Sequence, residues 1–142
     1  MVMPSSSRVS LNTPPQVNEK IRYMTDWSLA YHEKHPEEID ARLRALDREW
    51  DIERMLETGS SAMSLLGLTM GILRKPRWFL IALGVQSFMM QHAIQGWCPP
   101  LPVLRRLGFR TSDEIAEERF GLMKIAGRAN RPGDSSSFHP RM

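Results

Sequence analysis

Apolar side chains are unevenly distributed along the chain. Residues 58–73, TGSSAMSLLGLTMGIL, carry no charge, and residues 78–104 carry none apart from His92, whereas residues 18–55 are dense in Arg, Lys, Glu and Asp. No segment alternates apolar and polar positions as a strand would, and spacings of three and four dominate instead. The pattern predicts an all-α fold of four or five helices.

The first helix is expected over 18–34, where Ile21, Met24, Trp27 and Tyr31 fall at steps of three, three and four and define one apolar stripe. Pro36 suits a first helical position, and Glu37 and Glu38 favour the positive end of the next helix dipole. In that second helix Ile39, Leu43, Leu46 and Trp50 are spaced four, three and four, as in the seam of a short coiled coil or a bundle helix. Glu38 with Arg42, and Asp40 with Arg44, sit one turn apart with the acid first, a pairing worth about 0.2–0.5 kcal/mol each. This charged helix shows no stop signal before the apolar segment begins.

The apolar middle predicts a helical hairpin over 56–97. At 1.5 Å per residue, 58–73 spans about 24 Å against a bilayer core of about 30 Å, so a spanning helix borrows Met55 and Leu56 and lets Glu57 reach outward. Pro76, in Arg74-Lys-Pro-Arg77, disfavours helical geometry at Lys75 and ends the helix. The return segment runs from Trp78 to Trp97, tryptophans that suit the two membrane interfaces. Its polar residues Gln86, Gln91, His92 and Gln95 must face the first apolar helix, another subunit or the interface. Gly67 and Gly71, continued by Ser60 and Ser64, have the small-xxx-small spacing that lets helix backbones approach closely. The expected contact is with Gly84 and Ser87 of the return helix, or with another chain.

Pro99, Pro100 and Pro102 then break regular structure. The following VLRRLGF is expected to form an apolar and basic turn ending at Gly108, placing Arg105, Arg106 and Arg110 among lipid headgroups. Thr111 to Glu114 match a capping box that opens a last helix to about Ala126, with Ile115, Phe120, Leu122, Met123 and Ala126 as its apolar face. The Pro-, Gly- and Ser-rich ends, 1–17 and 127–142, are expected to be disordered tails. The chain thus divides into a tail over 1–17, charged amphipathic helices over 18–55, a membrane hairpin with its Cys-Pro-Pro segment over 56–110, an amphipathic helix over 111–126 and a second tail.

Composition refines this picture only slightly. The formal charge of +3 is the small remainder of 19 basic and 16 acidic residues that are thoroughly mixed, so no coherent basic surface for nucleic acid is expected. The single cysteine, Cys98, rules out an intrachain disulfide and a Cys-based zinc cluster within one chain. Met1 to Gln16 contain no apolar run of the secretory kind, so the hairpin helices themselves would serve as the insertion signal.

Little catalytic chemistry is visible. There is no phosphate-binding loop, paired-carboxylate constellation or nucleophile elbow, and neither an enzyme nor a cofactor is expected. Cys98 is the one candidate thiol: Arg105 and Arg106 would lower its pKa if they folded back, while the C-terminal end of the preceding helix opposes ionisation. Met89, Met90, His92 and Cys98 include soft donors of the kind copper accepts, but they form no repeated ligand motif, and no metal site is expected.

Residues 91–125, QHAIQGWCPPLPVLRRLGFRTSDEIAEERFGLMKI, carry a family resemblance. Gly96, Trp97, Cys98 and Pro99, with the hairpin before them and Gly108 after, resemble the YgaP-like inner-membrane domain of bacteria. That domain is a two-helix membrane unit found alone or fused to a rhodanese sulfurtransferase domain. The likeness covers about residues 50–110. It implies a bacterial inner-membrane hairpin whose helices pair with those of another copy, and it supplies no activity; the elements of a rhodanese are absent from this chain. Arg42, Arg44, Arg48, Arg54, Arg105, Arg106 and Arg110 on the flanks outnumber Arg74, Lys75 and Arg77 in the turn, which predicts that both termini are cytoplasmic. The expected function is a small integral membrane protein that assembles through its hairpin, with membrane lipid and a second copy as partners. The alternatives are a thiol-dependent sulfur or redox protein using Cys98, and a soluble helical oligomer that buries the hairpin between subunits.

Overall fold

The computed structural model describes residues 5–130. Among these residues seven α-helices run in order: α1 (Ser5–Leu11), α2 (Pro15–Lys34), α3 (Ile39–Arg48), α4 (Ile52–Leu73), α5 (Phe79–Gln95), α6 (Leu101–Arg106) and α7 (Ser112–Ala129). Single 3₁₀ turns at Pro36–Glu38 and Pro76–Trp78 lead into α3 and α5, and the described residues contain no strand. The protein is all-α.

Local signals set several of the boundaries. Pro15 opens α2 at a position where its missing N–H is of no consequence. Between α3 and α4 the chain is extended at Glu49, and the Asp51 carboxylate accepts from the Arg54 N–H at 2.7 Å, capping α4. The charged and apolar segments are therefore two helices rather than one continuous helix. Thr111 and Glu114 form the capping box: Thr111 Oγ1 accepts from Glu114 N at 3.3 Å, and Glu114 Oε2 accepts from Thr111 N at 2.9 Å.

Residues 5–17 differ from the expected tail over 1–17, of which 1–4 lie outside the described residues. Ser5–Leu11 form α1, and Val9 is fully buried in a core with Ile52, Leu56, Cys98 and Leu101. Arg8 donates to the carbonyls of Ala93 and Ile94 and Asn12 to that of Gln95, so α1 satisfies the last carbonyls of α5. Its few apolar residues suffice because the helix is held by hydrogen bonds to another helix's end. Of the second expected tail, residues 127–129 continue α7, and 131–142 lie outside the described residues.

A second core joins Ile39, Leu46 and Leu122, flanked by Leu29, Leu43, Ile115, Ile125 and Ala126. Of the expected α2 stripe Ile21 is buried, but Thr25, Ser28 and His32 are the other buried residues, while Met24 and Trp27 are exposed. Phe120 and Met123 of α7 also point outward. The displacement follows from Glu118, which is completely buried on α7 and must be met by polar groups from α2.

The expected inner-membrane placement is corrected by the helices themselves. No helix among the described residues is long and apolar enough to cross a membrane. α5 has only 17 residues and carries Gln86, Gln91, His92 and Gln95, and the first turns of α4 hold Glu53, Arg54 and Glu57. The hairpin stands as a hairpin, without a spanning segment. Lys and Arg asymmetry orients a chain only across a spanning segment, so the expected cytoplasmic placement of both termini falls with it.

Candidate functional site

The hairpin is held by its small residues. On α4, Ser64, Gly67 and Gly71 are buried and Ser60 is half-buried, all turned toward α5. A Cβ on Gly67 would lie 3.0 Å from Ala82 N and 3.1 Å from Trp78 O, and one on Gly71 would run into the Phe79 ring. A side chain at Gly67 would press on the α5 backbone, and one at Gly71 would displace the Phe79 ring. Ser64 Oγ accepts from Gln86 Nε2 at 2.8 Å, so one of the polar residues of α5 is satisfied inside the hairpin. Gly84 faces open space, and Ser87 donates to its own helix at Leu83 O.

Because contact is made through small groups, the large side chains are left outside. Met63, Leu65, Leu66, Leu68, Ile72 and Leu73 on α4 and Phe79, Leu80, Ile81, Leu83, Phe88, Met90 and Ile94 on α5 are all exposed; Ile72 reaches 77%. No charged side chain interrupts α4 after Glu57 or α5 anywhere. Soluble monomers rarely expose contiguous apolar patches beyond a few hundred Å², and larger ones mark interaction surfaces. At its base the hairpin opens into an apolar recess of about 320 Å³, lined by Met55, Met63, Phe88, Met89, Cys98 and Leu104 among others.

The base is tied by ion pairs that no local spacing announced. Glu118, fully buried, accepts from Arg42 Nε at 2.8 Å and Ser28 Oγ at 2.6 Å, and also pairs with Arg110. Arg110 further binds Glu49 through two nitrogens. Burial opposes ionisation of Glu118, but its hydrogen bonds to Arg42, Ser28 and Arg110 outweigh burial and hold its pKa at about 2. Arg42 thus pairs across the fold rather than with Glu38, which instead accepts from the Tyr31 hydroxyl.

Arg105 is corrected most sharply. Instead of lying at a lipid interface it is 1% exposed, forms a two-pronged pair with Glu114 and donates to Asn18, Thr13 and Phe109 O. Arg106 is exposed, Trp78 is half-buried and Trp97 is partly exposed. Cys98 is 2% exposed in the α1/α4/α6 core, and burial pushes its thiol pKa up, outweighing the opposing effect of the Leu101 backbone N–H. Neither Arg105 nor Arg106 activates it. His92 is buried with neither ring nitrogen hydrogen-bonded, and burial, reinforced by the nearby Arg8 cation, lowers its pKa. The described residues contain no cluster of three or more His, Cys, Asp or Glu able to hold a metal ion.

Glu118 and Arg110 were missed because a lone Glu on a helix surface pattern looks solvated. Only the neighbouring Ser28 and Thr25, small polar residues at helical spacing on α2, hinted at a buried polar seam. Comparison with protein-family models, with curated proteins and with solved structures returned no match.

Proposed function

We propose that the protein is an assembly module: a helical base, locked by buried ion pairs, that presents the α4–α5 hairpin for burial against a second copy. The observation that supports this is the run of thirteen large apolar side chains left exposed along the hairpin. Each contributes on the order of 1.5–3 kcal/mol when fully removed from water, so covering even part of that surface offsets the cost of association. The base carries mixed charge that keeps the remainder of the surface soluble. Catalysis has no comparable support, since the sole thiol is buried and its burial opposes thiolate formation.

Sedimentation velocity of the full chain over a hundredfold concentration range tests the proposal. A mass above the monomer at micromolar concentration is expected, and Leu65→Glu and Leu83→Glu, both at exposed positions, should return it to monomer without loss of helicity. A wild-type chain that stays monomeric at every concentration would overturn the proposal. So would one that remains monomeric while its hairpin partitions into phosphatidylcholine vesicles.

A further inference from the structure

The hairpin has two broad sides. One carries Met63 and Phe88 and is roofed near its base by Cys98, Pro100 and Leu104. Leu65, Leu68 and Ile72 recur at steps of three and four on the other side of α4, and Leu83, Met90 and Ile94 lie on the matching side of α5. This second face is exposed throughout, and no charged group interrupts its middle.

Charge is confined to the two ends of the face and differs between them. The tip carries Arg74, Lys75 and Arg77, all exposed and in no ion pair among the described residues. No Asp or Glu occurs between positions 58 and 112, so nothing along the hairpin neutralises the tip. At the base, Glu57 is exposed, Arg54 beside it lies over the Trp50 ring at 4.9 Å, and Arg8 at the end of α5 is engaged by the carbonyls of Ala93 and Ile94.

A parallel pair of hairpins would bring two such tips together, gathering six cations with no counter-charge. Like charges juxtaposed at an interface disfavour that arrangement, whereas opposite charges fix register. Turning one copy end for end sets each basic tip beside the partner's Glu57. Glu57 and Lys75 are equidistant in sequence from Leu66, and the Gly67–Ala82 contact puts Leu83 at the same level. We infer that two copies pair these faces antiparallel about a twofold axis at the level of Leu66, passing near Leu65 and Leu83, an isologous contact in which the same patch serves both subunits. This inference rests on the self-association proposed above and specifies its geometry.

Spin labels at Lys75→Cys or Ser87→Cys, each in a Cys98→Ala background, test it in the dimer. With 1.5 Å of rise per residue, the two Lys75 labels should be separated along the axis by about 27 Å and the Ser87 labels by about 12 Å. A parallel pair would give short distances at both positions and would overturn the orientation while leaving self-association intact. A monomer at all concentrations would instead remove the underlying proposal. A charge exchange supplies the second arm: Glu57→Lys should weaken dimerisation at least tenfold, and adding Lys75→Glu should restore most of it. An unchanged dissociation constant in Glu57→Lys, in protein of normal helicity, would also overturn the inference.

Discussion

Glu118 shows how one buried carboxylate can redirect a helix. Ile21, Met24, Trp27 and Tyr31 had the spacing of a core stripe, yet α2 turns Thr25, Ser28 and His32 inward because Glu118 lacks water and needs donors. Hydrophobic periodicity alone carries no information about a charge on another helix 90 residues away. Removing one member of a buried ion pair leaves its partners unpaired, so Glu118→Gln should lower unfolding free energy by about 3–5 kcal/mol in urea titrations. The pH dependence follows from the depressed pKa. Glu118 contributes stability that is fully present above its unfolded value near 4.5 and is lost as pH falls toward about 2. Wild-type stability measured across that window should fall more steeply than that of Glu118→Gln. If the two profiles were parallel, Glu118 would not be the titrating group.

Among the elements, the hairpin helices and the Thr111 capping box were legible because each rests on signals local in sequence: charge-free runs, a proline turn, and a Thr-x-x-Glu motif. The break at Glu49–Asp51 was less visible, since an Asp within a charged segment resembles a surface residue until its carboxylate is seen to cap Arg54. α1 was not legible at all. Its anchorage lies in the carbonyls at the end of α5, where Gly96 adopts φ +72° and a Cβ would sit 2.5 Å from Arg8 Cβ. Gly96→Ala should therefore combine left-handed strain of about 1–2 kcal/mol with displacement of α1. Thermal unfolding and amide exchange should report this together, as a lower Tm and faster exchange across residues 8–12. A Tm within one degree of wild type would show that α1 tolerates the intrusion.

For the whole molecule, the apolar middle was visible from composition, but its role depended on lengths that only the folded helices define. Seventeen residues in α5 and three charges early in α4 turn a candidate span into an exposed surface. If that surface is buried between copies, stability becomes linked to mass action. Tm should rise by several degrees between 1 and 100 μM protein, and Leu83→Glu should abolish that rise. A concentration-independent Tm in the wild type would separate folding from association. The docking of α1 also orders events in time. Arg8 reaches Ile94 across 86 positions, so on the ribosome the first helix emerges long before its seat exists. Closing so large a loop is entropically costly and slow relative to hairpin formation, so this contact belongs to the last steps of folding. The N-terminal segment acts as a latch that can close only after the return helix has been synthesised.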